Sequence, residues 1–232
     1  MILFENDACL VINKLVGQSS EFPGVKTNSA GEGYPAPVHR LDLPVSGCLL
    51  LARTQAAAAF LGAAFSRPGE VRKRYWAITE LPGRAASGAE SSEQSLIPAS
   101  GELVHWLSFD REKNKSFAHT EGGHGRKKAI LRYRTVGKGD RYLFLEVELV
   151  TGRHHQIRSQ LAALGFHVKG DLKYGARRSE KNGGIRLHAY SLAFPNPLAP
   201  TEAIEVTAAP PEMDALWKAF AEAYQTNRTE AH

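Results

Sequence analysis

The sequence predicts a sheet-rich fold in which numerous strands are accompanied by three helices. Residues 141–150 alternate in character and carry Leu143, Leu145, Val147 and Leu149 on one face, as expected of a strand that buries one side. Other strand-like runs occur at 1–5, 8–13, 71–79, 102–109, 129–136 and 185–194. A chain of 232 residues, 43% of them hydrophobic, can bury a substantial core. No convincing linker or internal repeat divides it, so we expect one domain over 1–232.

Three of these strand-like runs allow more specific predictions. The runs at 1–5 and 8–13 flank Asn6-Asp7, a pair typical of turns, which predicts a hairpin. In 71–79 a period of two places Tyr75 and Trp76 on opposite faces. Large aromatic side chains are most often buried, so we expect both rings to contribute to the core unless one faces a cleft.

The helices are predicted from their ends and their apolar spacing. Thr54 is a suitable N-cap for the alanine-rich segment 55–65. Gly165 would end a helix over 153–164, in which His154 and Arg158 stand four residues apart and would share one strip. The segment 211–224 is expected to pack on the sheet through side chains at helical spacing, namely Met213, Leu216, Trp217, Phe220 and Tyr224.

Several polar stretches are interpreted as loops. Residues 17–37 are rich in Gly, Ser and Pro, and 82–101 is expected to be a flexible surface insertion. Gly31 and Gly33 lack the preceding strand and following helix of a phosphate-binding loop. His119 and His124 lie in a glycine-rich basic stretch without regularly spaced metal ligands, so we expect an exposed loop there.

Charge and cysteine content favour an intracellular protein with a polyanionic partner. The net charge is +5 and the isoelectric point about 9.2, and the basic residues are clustered in a way that suits phosphate contacts or ordinary solvated surface. The two cysteines, Cys9 and Cys48, lie in apolar runs and are expected to be buried free thiols in a reducing cytoplasm. No run is apolar enough for a membrane helix. The clusters are Arg72-Lys73-Arg74, Arg126-Lys127-Lys128, Arg132 with Arg134, and Lys169, Lys173 and Arg177-Arg178.

The stretch 38–47 contains the candidate catalytic residue, Asp42. Pro44 fixes its own φ and disfavours helix at the residue before it, and Gly47 tolerates angles that other residues avoid. The apolar run 48–52 that follows has the length of a buried strand, so the loop is anchored and displays a carboxylate. From these residues alone, Asp42 could equally be a turn cap paired with Arg40.

Five motifs, in order and at the right spacing, resemble those of the RluA-type RNA pseudouridine synthases over about residues 2–197. They are His39-Arg40-Leu41-Asp42 with Ser46-Gly47, Lys73-Arg74-Tyr75-Trp76-Ala77, Gly152 to Arg158, Gly170 to Gly175, and Leu187-His188-Ala189. The resemblance implies an α+β fold, with a largely antiparallel, bent mixed sheet flanked by helices and a central active-site cleft. Three positions depart from the family pattern: Leu15, Val45 and His154. The small N-terminal RNA-binding domain of many members is expected to be missing.

The resemblance also implies the reaction and the residues that perform it. Uridine in RNA would be isomerised to its C-glycoside, with Asp42 as nucleophile, Tyr75 stacked on the target base and Arg158 keeping the carboxylate charged. Arg40 would enter the RNA stack when the uridine flips out, assisted by His39. The remaining substrate-binding residues implied by the motifs are Lys73, Arg153, His155 and Gln156.

The expected partner is therefore RNA, ribosomal or transfer, with no cofactor, no metal ion, no membrane and a monomeric protein. Two other functions compete with this one. An RNA-binding module without turnover would not need Asp42, Tyr75 and Arg158 together. A hydrolase built on Asp42 and a histidine would release a product, whereas isomerisation leaves the RNA mass unchanged.

Overall fold

The computed structural model describes residues 1–21, 35–82 and 97–229, with side chains to residue 227. Gly31 and Gly33, for which a phosphate-binding loop was rejected, and most of the predicted insertion lie outside these ranges. The helices are α1 (Gln55–Ser66), α2 (Gln156–Ala163) and α3 (Ala215–Thr229), and a short 3-10 helix covers Leu172–Tyr174. The strands are β1 (Ile2–Glu5), β2 (Cys9–Lys14), β3 (Ala36–Pro37), β4 (Ser46–Ala52), β5 (Arg72–Glu80), β6 (Ser100–Asp110), β7 (Lys115–His119), β8 (Lys127–Lys138), β9 (Tyr142–Leu149), β10 (Leu187–Asn196) and β11 (Ala199–Thr207).

The described strands form one 11-stranded sheet with the order β1-β2-β4-β10-β5-β9-β8-β6-β7. All of its pairings are antiparallel except β4 with β10. β3 adds to β4, and β11 pairs with the second half of β10, so β10 has different neighbours along its length. The sheet is therefore mixed and largely antiparallel, and the α+β class expected from the sequence is confirmed.

The helices cover both faces of the sheet because the strands alternate in what they bury. One face packs Leu145 and Val147 of β9 with Ile157 and Leu161 of α2. On the opposite face α3 packs on the β5–β9 region and α1 on the region around β2, β4 and β10. Tyr75 and Trp76 enter opposite cores, as the period of two predicts. No helix among the residues described has the length and apolarity required to span a bilayer.

The predicted hairpin of β1 and β2, the alternation of β9 and the first helix are confirmed. Thr54 caps α1 by accepting a hydrogen bond from Ala57 N at 3.1 Å. Both cysteines are buried and free, and burial raises the pKa of Cys9 to about 11 and that of Cys48 to about 12. These thiols are therefore inert core groups at neutral pH.

Other predictions require correction. The stretch containing His119 is not a simple loop, because 115–119 form the edge strand β7, where the His119 ring bonds the Ser108 hydroxyl at 2.9 Å. Strands β3 and β11 were not predicted. Pro195 does not end β10: the strand continues through it, with a register shift between Pro195 and Asn196, as tolerated at a bulge.

The basic clusters are also less available than the sequence suggests. Arg132 and Arg134 bond Glu102 and Glu146 across the sheet, and Arg74 lies 3.6 Å from Glu148. Cross-strand register places these opposite charges together. The basic residues of these clusters therefore include some that are paired with acidic side chains and others that border the cleft described below.

Candidate functional site

A cleft of about 710 Å³ opens on the face of the sheet that carries α2. Its walls come from five places in the chain: residues 39–45, the end of α1 with the turn after it (65–71), β5, the segment 149–158, and Leu187 of β10. Each predicted site residue contributes to the lining, namely His39, Arg40, Asp42, Lys73, Tyr75, Arg153, His155, Gln156 and Arg158. Residues separated by more than a hundred positions are thus brought to one concave surface.

The loop that displays Asp42 is held by backbone hydrogen bonds and by one buried lysine. Val45 N donates to Asp42 O at 3.0 Å, which closes a turn around Pro44. Lys14 is fully buried, and its ammonium lies 2.9 Å from the carbonyls of Leu15 and Gln18 and 3.4 Å from that of Leu43. Burial lowers the pKa of Lys14 to about 8, although nearby Asp42 acts in the opposite direction. Lys14 therefore ties the N-terminal strands to the Asp42 loop.

Gly47, just after this loop, permits the close approach of the parallel strands β4 and β10. It has φ +120°, and a Cβ there would lie 2.3 Å from the carbonyl oxygen of Ala189. Only glycine meets both demands. The loop is therefore anchored at its C-terminal side through a contact that a side chain would abolish.

Arg158 is the central cation of the site. Its Nε and Nη2 donate to Asp171 at 2.6 and 2.9 Å, and its Nη1 donates to Asp42 Oδ2 at 2.9 Å. The guanidinium also lies over the Tyr174 ring, 4.9 Å from its centroid. Only 5% of the Arg158 side chain and 1% of the Asp171 side chain is exposed, compared with 17% for Asp42. The two-bond pair with Asp171 therefore fixes the guanidinium, which leaves one donor for Asp42.

His155 is the second neighbour of the Asp42 carboxylate. Its Nε2 lies 3.5 Å from Asp42 Oδ2, and its Nδ1 lies 3.0 Å from the Tyr174 hydroxyl. Burial, and after it the charge of the adjacent Arg158, lower the pKa of His155 to about 2. The ring is therefore neutral at physiological pH and lies beside Asp42 without a net charge.

The second oxygen of Asp42 has no protein partner in the part of the chain that the structure describes. Arg158 and His155 both approach Oδ2, so Oδ1 keeps its lone pairs inside the cleft. Tyr75 is buried beside it, and burial, followed by the charge of Asp42, raises the pKa of the Tyr75 hydroxyl. The site thus combines a positioned carboxylate having one free oxygen with a neutral aromatic wall.

Three of the predicted substrate-binding residues differ in their surroundings. His39 accepts a hydrogen bond from Leu50 N at 3.1 Å and stacks on Phe65 with centroids 4.9 Å apart. Burial lowers its pKa to about 3. Lys73 is partly buried with its ammonium 5.7 Å from the Phe65 ring, and burial lowers its pKa. Arg40 is exposed at the cleft and has no acidic group within 4.0 Å among the described residues.

The segment 151–155 forms a turn that precedes α2, so residues 153–155 are not the first part of the helix as predicted. The Gln156 amide oxygen accepts from Thr151 Oγ1 and Arg153 N, and its nitrogen donates to Ile130 O. Arg153 is exposed and donates to Lys128 O at 3.1 Å. Gln156 is therefore engaged with the turn itself, whereas Arg153 remains at the cleft rim.

His154 and His155 lie in this turn and not on the helix predicted over 153–164. His155 has left-handed backbone angles, φ 51° and ψ 29°, so the chain is not helical at this position. His154 and His155 consequently stack, with ring centroids 3.8 Å apart. Within the described ranges, no cluster of three or more His, Cys, Asp or Glu side chains is arranged to hold a metal ion.

A family model described as RNA pseudouridylate synthase matches residues 9–163, which include the Asp42 loop and Arg158. The chain belongs to the RNA pseudouridylate synthase family. An uncharacterized RNA pseudouridine synthase of Zymomonas mobilis is 33% identical over 160 residues, which are 68% of this chain and 66% of that protein. The ribosomal large subunit pseudouridine synthase D of the same organism is 27% identical, with 94% of this chain and 71% of that protein aligned.

Other matches agree with this family assignment. The uncharacterized RNA pseudouridine synthase YlyB of Bacillus subtilis is 29% identical over 81% of this chain, which spans only 55% of YlyB. Among solved structures, human RNA pseudouridylate synthase domain containing 1 superposes with a TM-score of 0.68 at 23% identity, covering 97% of this chain and 94% of that one. That structural likeness shows the pseudouridine synthase fold.

Two residues that build this candidate site were not assigned a role from the sequence. Asp171 entered only within the Gly170 to Gly175 motif, and Lys14 was given no role. A polar residue in a Gly-Asp turn gives no sign of which distant arginine it meets. In the period of two of strand β2, Lys14 is on the same face as the apolar Leu10 and Ile12, which is the one signal that could have identified it as an interior cation.

Proposed function

We propose that this chain isomerises uridine within RNA to pseudouridine, with Asp42 as the nucleophile. The observation that carries the proposal is the Asp42 carboxylate itself, held at Oδ2 by Arg158 at 2.9 Å while Oδ1 is free in the cleft. An opposite charge at hydrogen-bond distance favours the ionised form of a carboxylate. A fixed anion with one unshared oxygen is what attack on the nucleoside requires.

The other groups position the base and keep the carboxylate in place. Tyr75 provides the ring on which the uracil stacks, and its buried hydroxyl remains protonated since its pKa is raised. A protonated hydroxyl does not abstract the proton of carbon 5, so Tyr75 acts beside the base as a stacking ring and a hydrogen-bond donor. Asp171 and His155 hold Arg158 and the Asp42 carboxylate in orientation. No step requires a cofactor or a metal ion.

The cleft rim would receive the RNA. Arg40, exposed beside Asp42, is suited to fill the gap that a flipped uridine leaves in the stack, a step that costs a few kcal/mol and favours unpaired targets. Arg153 and Lys73 border the same cleft and can contact phosphates, which position RNA without reading its sequence. His39 and Gln156 support the loop and the turn from behind.

The proposal is tested by mapping pseudouridine in total RNA from cells with and without this gene, followed by reaction of the purified protein with the affected RNA. Large-subunit ribosomal RNA is the first to examine, because one relative is named for it. We expect at least one uridine to be converted with no change in RNA mass. Release of free uracil or cleavage of the strand would instead indicate a hydrolase.

A further inference from the structure

A row of three rings leads from the protein surface to the Asp42 carboxylate. Phe109 of β6 and His154 have centroids 4.4 Å apart with a 58° tilt, and His154 stacks on His155 at 3.8 Å. His155 in turn lies 3.5 Å from Asp42. The inner end of the row is buried, with His155 only 7% exposed, whereas Phe109 is 47% exposed. The row is therefore open at one end and continuous with the cleft at the other.

The middle ring of the row is fixed by the neighbouring strand. The Ser116 hydroxyl of β7 donates to the His154 carbonyl at 2.7 Å and lies 3.1 Å from Nδ1 of its ring. Ser116 is directly opposite Phe109 in the β6–β7 pairing, so both side chains leave the hairpin on the same face. The geometry of the row is thus set by the sheet register and not by a mobile surface side chain alone.

The surroundings of the row are cationic. Burial lowers the pKa of His154; Asp42 opposes this effect, and Arg40, Arg158 and Lys173 reinforce it. Lys173 donates to the carbonyls of Lys113 and Asn114 at the tip of the same hairpin. A neutral aromatic surface bordered by positive charge is complementary to an unpaired base and its phosphate, because bases stack on rings and phosphates pair with cations.

We propose that the exposed face of Phe109 is a stacking site for an unpaired RNA base that flanks the uridine held at Asp42. This inference rests on the proposed function, since it adds a neighbouring subsite to that cleft. His154 transmits the position of Phe109 to His155, and so sets where the flanking base lies relative to the carboxylate. The site recognises an unstacked base without selecting its identity, because every base offers a ring face for stacking.

The chain contains a matched control. Phe117 of β7 is 37% exposed on the same hairpin, but it stands opposite Ser108 and therefore faces away from the side of Phe109 and Ser116. Its ring lies under the Lys115 ammonium, 5.4 Å from the centroid. Truncation at either position removes a partly exposed phenyl ring from the same pair of strands, but only Phe109 adjoins the row.

The test uses a short single-stranded RNA that contains one uridine with the fluorescent base 2-aminopurine beside it. We expect Phe109→Ala to weaken binding by roughly 5- to 150-fold, the range for loss of one base–aromatic stack, and to abolish quenching of the 2-aminopurine. Phe109→Tyr should restore both, Phe109→Leu should not, and Phe117→Ala should bind as the wild type does. Circular dichroism of each variant reports whether the hairpin still folds.

The outcomes separate this inference from the function on which it rests. If the wild type forms pseudouridine but Phe109→Ala binds and quenches normally, the stacking site is wrong and the function stands. Equal losses in Phe109→Ala and Phe117→Ala would also overturn it, because a general effect on the hairpin would then explain both. If the wild type forms no pseudouridine in any RNA, the proposed function fails whatever the binding data are.

Discussion

Two arginines of this protein hold carboxylates in nearly the same way, yet only one of them lies at the principal cleft. Arg158 binds Asp171 and Asp42 and covers the Tyr174 ring. Arg186 binds Glu180 at 2.8 Å and Asp214 at 2.5 Å, and covers the Trp217 ring at 5.7 Å. Each is a cation between two acids above an aromatic ring, so an arginine–carboxylate cluster by itself does not identify a reactive site.

The difference lies in whether the outer carboxylate has an acceptor to spare. Asp214 accepts from Arg186 at Oδ2 and from Trp217 N at Oδ1, where it caps α3. Glu180 is shared between Arg186 and Lys169. Asp42, by contrast, is approached only at Oδ2 by the described residues, its other oxygen accepts no hydrogen bond from them, and its side chain lines a cleft of about 710 Å³. A free oxygen in a cavity distinguishes the candidate active site from a structural network.

The largest expected difference is in the rate of pseudouridine formation, between replacement of Asp42 and replacement of Asp214, the outer carboxylates of the two arginines. Asp42→Asn removes the anion while keeping the shape of the side chain, so we expect pseudouridine formation to fall by at least about 10³-fold, as when a nucleophile is lost. Asp214→Asn makes the same chemical change at the other arginine. Its rate should stay within about twofold of wild type, with a stability loss of at most about 1 kcal/mol from the weakened ion pair with Arg186, because Asn caps a helix as well as Asp does.

Both variants are measured by single-turnover conversion of the RNA found by mapping, and by urea denaturation. If Asp42→Asn retains activity, Asp42 is not the nucleophile. If Asp214→Asn loses as much activity as Asp42→Asn, the distinction between the two arginine clusters is wrong.

Replacement of each arginine by methionine should lower the free energy of unfolding by different amounts. Arg158→Met leaves Asp171, which is 1% exposed, without its partner, and we expect a cost of about 3–5 kcal/mol because a buried charge is uncompensated. Arg186→Met leaves Glu180 with Lys169 and Asp214 with its helix-capping bond, so about 1–2 kcal/mol is expected. Equal losses of the free energy of unfolding in urea would contradict this ranking.

Local features of this fold can be predicted from the sequence more readily than the long-range contacts of Arg158. Alternation predicted β9 and the opposite faces of Tyr75 and Trp76, because period-two burial is a local property. The contact between Arg158 and Asp42, 116 positions apart, entered only through a family resemblance. The partnership of Arg158 with Asp171 was not foreseen, since chain spacing does not reveal tertiary contacts.

The failures have similar physical causes. The predicted helix over 153–164 begins at Gln156, because His155 adopts left-handed angles that no propensity for histidine signals. Strand β7 was interpreted as part of a polar loop since Lys115, Ser116 and His119 are not apolar; as an edge strand, it needs only one side paired. Val45 replaces a family hydroxyl, whose hydrogen bonds could be rebuilt from Ser46 or from the backbone; the Ser46 hydroxyl bonds His188 at 2.8 Å, whereas Val45 N donates to Asp42 O at 3.0 Å.

Acidification should weaken both regions, because each contains a buried neutral histidine. Burial lowers the pKa of His155 beside Arg158 to about 2 and that of His188, whose ring contacts Trp217, to about 4. Below pH 6.5 the unfolded chain binds protons that the folded chain excludes, so stability is full at neutral pH and falls as the pH decreases. The slope should be about 1.4 kcal/mol per pH unit for each histidine, down to its folded-state pKa.

Urea midpoints at pH 7, 6 and 5 measure this slope. His188→Gln should reduce it by about a third at most over this range, because His155 and His39, whose pKa burial lowers to about 3, both remain. A stability that does not change between pH 7 and 5 would mean that neither ring is held neutral by its surroundings.

The smallest effect is expected at Ser46, which stands between the two regions. It follows the Asp42 loop in sequence, yet it borders a separate cavity of about 190 Å³ together with Arg186 and Trp217. Its hydroxyl bonds His188 Nδ1 at 2.8 Å. Ser46→Ala should cost about 1 kcal/mol, the net value of one buried hydrogen bond. The Asp42 loop keeps its own backbone bonds and its contact with Lys14, so kcat should stay within about twofold of wild type. A large loss of kcat with little loss of stability would instead show that the two arginine regions are coupled through Ser46, since the loop could not then be positioned independently of His188.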